Sequence, residues 1–220
     1  MNSNKNFFET NLSINPEQTV TKPFAEIIES CLDHFTAQCW QWDNFPTFGS
    51  LVHVDGKEQI IFGCVTDIQT GSMDPLRYPF PYQKTEEELH KEQPQIFEFL
   101  KTTFKVQILG YIDKKDSSRV LYLLPPKPCK IHAFIHSSLP ETQQLFFQKF
   151  DFLNLVFAFA HQIPSIDELL LVIIQHLSQQ KMLSQEKLDQ FCQKFSLLTG
   201  NDYRRLKLFF QRIEGNITYK

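Results

Sequence analysis

After Pro140 the hydrophobic pattern of this chain changes period from two to 3.6 and stays there to the end. Upstream, apolar residues alternate with polar ones in short runs bounded by turn residues, the period of β-strands. Downstream they recur every three or four residues to the end, the period of amphipathic helices. A chain written this way is α+β with its strands segregated from its helices. No repeat of solenoid length appears on either side, so the boundary marks a change of architecture.

Six runs carry the strand signal: Ala37 to Trp42, Phe48 to Val54, Gln59 to Ile68, Phe104 to Asp113, Ser118 to Leu124 and Lys130 to His136. Asp55-Gly56 and Lys114-Lys115-Asp116-Ser117 are turn chemistry, so 48–68 and 104–124 read as hairpins. Six short strands predict a small barrel or sandwich. Ahead of them, Phe24, Ile27, Ile28, Cys31 and Phe35 fall at helical spacing after Pro23, which predicts a short amphipathic helix. An insertion over 69–101 separates the hairpins. Its first part, Gly71 to Pro81, is broken by prolines; Thr85-Glu-Glu-Glu88 is a capping box that opens a helix, and Pro94 breaks it.

Beyond Pro140, Ser165-Ile-Asp-Glu168 is a second capping box before Leu169, Leu170, Ile173, Ile174 and Leu177. Leu188, Phe191, Cys192 and Phe195 mark the next helix, and Leu206, Phe209, Phe210 and Ile213 the last, with Gly200 and Asn201 as stop and restart. The reading is a flexible tail over 1–22, a barrel domain over 23–140 and an all-α region over 141–220.

With 220 residues and 42% hydrophobic content the chain can build a substantial core. Twenty-two Phe against seven Gly supply rings for that core and for apolar surface. A formal charge of −3 gives no global attraction to nucleic acid or anionic membrane. Five scattered cysteines with no Cys-x-x-Cys pair fit a reducing compartment. The N-terminus shows no secretion signal and no apolar run approaches a bilayer span, which predicts a cytoplasmic protein with no membrane partner.

Candidate chemistry is sparse. Cys129-x-x-His132-x-x-x-His136 is the one metal-like spacing, but a strand would put His132 and His136 about 13 Å apart with Cys129 on the other face. No metal site is expected there. Glu86, Glu87, Glu88 and Glu92 suit the start of a helix better than paired acid–base work. No phosphate-binding loop, dinucleotide fingerprint or nucleophile elbow is present, so no cofactor is expected. Asp67, Asp74 and Arg77 surround the Thr70-Gly71-Ser72 loop and could form a polar site or simply fix the loop. At the C-terminus two helices meet at a Thr-Gly-Asn turn, and the second carries Arg204, Arg205, Lys207 and Arg212. That pattern allows nucleic-acid contact as well as ordinary solvation.

The run from Phe48-Gly-Ser-Leu-Val through Phe62-Gly-Cys-Val-Thr-Asp-Ile, Gly110-Tyr111, Leu124-Pro-Pro-Lys-Pro128 and Ile131-His132 resembles the HAS-barrel family. That family comprises the N-terminal β-barrel of HerA-type DNA-translocating ATPases and of ATP synthase subunits. The likeness covers roughly residues 45 to 137 and implies a six-stranded barrel that holds ring subunits together or receives a partner such as a nuclease. The ATPase domain that follows the barrel in that family is missing, and about 80 residues of helix stand in its place. No catalytic residue carries over.

The expectation is a non-catalytic adaptor or subunit whose protein partner is a ring ATPase or nuclease, with self-association open. Met73, Leu76, Arg77, Tyr78, Phe80 and Tyr82, in a proline-stiffened loop, are the expected partner-binding residues, since a stiff aromatic loop loses little entropy on docking. The competing role for that loop is to fold back and close the barrel. The alternative function is nucleic-acid binding through Arg204, Arg205, Lys207 and Arg212.

Overall fold

The structure, a computed structural model, describes residues 21–74, 76, 79–200 and 202–216. Seven strands come first: β1 (Ala25–Ser30), β2 (His34–Cys39), β3 (Leu51–Asp55), β4 (Gln59–Ser72), β5 (Leu100–Asp113), β6 (Asp116–Leu121) and β7 (Phe134–Ser137). Helix α1 (Glu86–Glu92) lies between β4 and β5. After the strands follow α2 (Pro140–Phe146), α3 (Leu153–Ala158), α4 (Ile166–Gln179), α5 (Gln185–Leu198) and α6 (Tyr203–Asn216). Most of the tail lies outside the described residues, but Thr21 is anchored: its hydroxyl donates to the Ser137 carbonyl at 2.9 Å.

The sheet closes. Its order is β2-β1-β7-β3-β4-β5-β6, and β2 also pairs with β5 from His34–Gln107 to Gln38–Thr103, so six strands form an antiparallel ring. The strand left outside the ring is β6, which prolongs the sheet from the far half of β5 at Tyr111–Leu121 and Asp113–Asp116. A six-stranded barrel was the expectation, but its membership differs. The sequence reading spends one strand on β6 and reads 24–35 as a helix, whereas that segment is the β1–β2 hairpin, closed by Cys31 N–H donating to the His34 carbonyl. The physical reason is a bulge between Ile27 and Glu29. It breaks the inward alternation of Ala25 and Ile27, so the apolar positions mimic a helical face while barrel closure demands a strand. The strand read over Lys130 to His136 begins only at Phe134, because His132 adopts a left-handed turn conformation at φ 68°.

Two cores share the barrel wall. Inward residues of the ring, among them Ile27, Phe35, Val52, Ile61, Phe104, Val106 and Ile135, fill its interior, with Cys129 from the β6–β7 crossing packed among them. Outward residues Leu51, Ile60, Phe62, Cys64, Leu109 and Ile112 join Phe146, Phe152, Leu170, Ile174, Phe191, Phe195 and Phe209 in a second, larger cluster. The helices therefore seal one outer face of the barrel. Phenylalanines run through this layer in edge and tilted contacts, Phe62–Phe146 at 5.3 Å and Phe195–Phe209 at 4.4 Å between ring centres.

Glycines mark two close approaches. A Cβ on Gly63 would meet Val106 Cγ1 at 2.4 Å and the Gln107 carbonyl oxygen at 2.8 Å. Gly49, at φ +77°, would put a Cβ 2.8 Å from Val172 Cγ1, where α4 lands on the loop before β3. His176 donates to the Gly49 backbone there, and burial still holds its imidazole below the ordinary range.

Candidate docking surface

The insertion stands on an extension of the barrel wall. β4 and β5 keep pairing beyond the ring to Ser72–Leu100, so residues 69–72 and 100–101, read as insertion from sequence, are ladder. Among the described residues, neither core contains one between Gln69 and Thr103. The arm is tied down at its base, where Thr70 and Thr102 hydroxyls lie 2.8 Å apart and Thr102 donates to the Trp42 carbonyl. Farther out, Phe97 is sandwiched between Trp42 and His90, with ring centres at 5.7 and 3.9 Å.

α1 forms because Thr85 and Glu88 complete the expected capping box, the hydroxyl accepting from Glu88 N–H and the carboxylate from Thr85 N–H. Those bonds hold the Glu88 carboxyl below its usual range. Lys84 reaches across to Glu92. α1 has no buried residue and neither does the 3-10 turn Pro94–Phe99 behind it. With no buried residue and one ring contact, His90 on Phe97, this segment depends on its capping box to stay helical.

Between β4 and α1 the loop holds its apolar groups in water. Met73 N–H donates to the Phe99 carbonyl at 2.8 Å, and Leu76 N–H donates to Asp74 Oδ1 at 3.0 Å, a local turn that turns the chain outward. Leu76 is 90% exposed and Phe80 70%, with Met73 at 48% and Tyr82 at 37%. Phe80 and Tyr82 make an edge contact at 5.6 Å. These four do not plug the barrel. Arg77 and Tyr78, expected beside them, lie outside the described residues.

Asp67 and Asp74 do not converge. Asp67 lies within β4, five residues or about 17 Å of strand from its end at Ser72, whereas Asp74 sits in the bend beyond that end and accepts from Leu76 N–H. Asp67 instead accepts from Gln69 Nε2 at 2.9 Å. The Cys129, His132 and His136 set is also dispersed: Cys129 is buried, His132 pairs with Glu26, and His136 Nδ1 bonds the Thr21 carbonyl at 2.6 Å. Among the described residues no group of three or more His, Cys, Asp or Glu could hold a metal ion.

On α6 the four cations divide. Arg205 donates Nε to both Asp167 oxygens at 3.2 Å and its terminal nitrogen to Oδ1 at 2.7 Å, while lying over the Phe157 and Phe195 rings. Arg212 pairs with Glu168 and lowers its carboxyl pKa. The Ser165 box is therefore half a box, with the Ser165 hydroxyl accepting from Glu168 N–H in α4 while the Glu168 carboxylate serves α6. Arg204 and Lys207 face water. Asn201, the expected restart of α6, lies outside the described residues, and Asp202 caps the helix through Arg205 N–H. A cleft of about 670 Å³ opens beside Arg204, Arg205, Leu208 and Arg212.

Sequence reasoning missed two features because each joins residues far apart in the chain. Trp40 and Phe134 meet edge to face at 5.3 Å, both about half exposed, on the barrel side away from the helices. His53 and His136, cross-strand partners, stack at 5.4 Å and are nearly buried. No local pattern could have found either, since each partner reads as an ordinary residue of its own stretch of sequence. No helix among the described residues is long and apolar enough to cross a membrane. Compared with protein-family models and with curated proteins, the chain matches none.

Proposed function

We propose that this chain is a non-catalytic interaction module, an adaptor or subunit that engages a HerA-type ATPase or another DNA-processing protein through Met73, Leu76, Phe80 and Tyr82. The observation that carries the reading is the exposure of Leu76 and Phe80 on an arm whose described residues belong to neither core. Apolar groups held in water on a tethered loop gain most when a partner covers them. The closed six-strand ring is compatible with the HAS-barrel likeness. Such rings are shared by unrelated folds, so the weight rests on the arm. Five free thiols accord with a cytoplasmic setting.

Nucleic-acid binding through α6 is the weaker reading, because Arg205 and Arg212 already serve Asp167 and Glu168. The test of the main reading is affinity capture from the native host with the wild-type chain and with Leu76→Ser/Phe80→Ser. The expected result is an ATPase or nuclease recovered by the first and lost by the second. Equal recovery by both, or a wild-type chain that stays free, would sink it.

A further inference from the structure

The helix beside the docking loop and the helix that ends the described chain carry opposite charge. α1 holds Glu86, Glu87, Glu88 and Glu92 against Lys91, and α6 holds Arg204, Arg205, Lys207 and Arg212 against Glu214. Part of each set is engaged within the molecule, through Lys84–Glu92, the Glu88 cap, Arg205–Asp167 and Arg212–Glu168, and Glu86 has the exposed His90 ring 3.7 Å away one turn on. Glu86 and Glu87 on the arm, and Arg204 and Lys207 on α6, are exposed.

Each charged set borders apolar groups in water. Leu76 and Phe80 precede α1, and Leu208 is 54% exposed within the cleft along α6. Tyr203 and Leu197, at 77% and 74% exposure, extend that apolar surface at the α5–α6 corner. With Glu86 and Glu87 on one side and Arg204 and Lys207 on the other, the two surfaces are complementary in charge, and each sets apolar groups beside that charge; the acidic residues in the cleft are already engaged, Asp167 by Arg205 and Asp202 as the cap of α6.

We propose that the arm of one copy docks on the α6 cleft of a second copy, Leu76 and Phe80 against Leu208, Glu86 and Glu87 facing Arg204 and Lys207. This rests on reading the arm as a docking element and names a second copy as an occupant of its binding surface. The contact is heterologous, so copies join head to tail and either close into a ring or continue. An open assembly leaves one arm uncovered at its end, available to a different protein.

Sedimentation velocity of the full chain tests the idea, from about 10 to 500 μM in about 50 mM and then about 500 mM salt. The weight-average mass is expected to climb with concentration at low salt and to fall back at high salt. Glu86→Lys/Glu87→Lys and Arg204→Glu/Lys207→Glu should each weaken association roughly tenfold or more. An equimolar mixture of those two variants should recover it, because the reversed arm then meets the reversed cleft. These side chains are exposed, and circular dichroism checks that both variants stay folded. A wild-type chain monomeric throughout, or association indifferent to both reversals, overturns the proposal. Monomeric protein that still captures an ATPase or nuclease through Leu76 and Phe80 removes self-association alone. Association abolished by charge reversal, with capture unaffected by Leu76→Ser/Phe80→Ser, removes the ATPase or nuclease reading alone.

Discussion

His53 shows how much one buried imidazole can weigh. It is 4% exposed, stacked on His136, with Ser138 Oγ 3.2 Å from Nδ1 and Phe62 alongside. Burial above all, and the second imidazole after it, push its pKa down to about 4, while Asp55 pulls weakly the other way. The unfolded chain therefore binds a proton that the folded chain refuses between about pH 6.5 and 4. The resulting stability is fully present above pH 6.5 and is lost as pH falls through 4, amounting to roughly 3 kcal/mol. Urea unfolding across that range should show the loss, and His53→Gln should flatten the profile. A slope unchanged in the variant would assign the acid sensitivity elsewhere. Gly63 and Gly71, eight residues apart on β4, make a second comparison. Gly63→Ala should cost about 2–3 kcal/mol, because the methyl would strike Val106 and the Gln107 carbonyl. Gly71→Ala, with nothing within 4 Å, should change stability by less than about 1 kcal/mol. Thermal melts of both variants settle the difference.

Among the elements, those whose burial repeats along the sequence were legible and those defined by a partner were not. α4, α5 and α6 bury Leu169–Leu177, Leu188–Phe195 and Leu206–Ile213 at helical spacing, and so they could be read directly. β3 and β4 were legible because a turn joins neighbours. β1 was not, since its bulge erased the alternation, and the outer end of β4 was not, since Gln69-Thr70-Gly71-Ser72 has no apolar side to reveal a period. The aromatic loop could be found from sequence, but its exposure could not, because only the fold shows that its described residues take no part in either core. α1 is the element most dependent on local chemistry. Thr85→Ala should therefore speed amide exchange across Glu86–Glu92, by loss of about 1 kcal/mol of local stability, and leave the global denaturation midpoint in place. A shifted midpoint would mean that α1 is coupled to the cores.

At the scale of the whole molecule, the barrel and the helices are not two separately closed units. Phe62, Leu109 and Ile112 are barrel residues by position and helix-layer residues by contact. Expressing residues 21–139 alone would uncover them, so that fragment is expected to bind a hydrophobic dye and lose near-ultraviolet dichroism, while the full chain does neither. A well-folded fragment would show that the ring needs no cover. The change of period near Pro140 thus locates a change of element type accurately and says nothing about independence, which depends on which face each strand turns outward.

The β4–β5 ladder has a further consequence for covalent continuity. Because the described residues between Met73 and Phe99 contribute to neither core, and the strands on either side are joined from Gln59–Asp113 to Ser72–Leu100, the backbone is dispensable there as a connector. A protease that nicks the arm should leave two polypeptides that migrate together in native buffer and separate only in denaturant. The molecule could be opened at its most exposed point, or carry a foreign domain there, without losing the wall that holds it together.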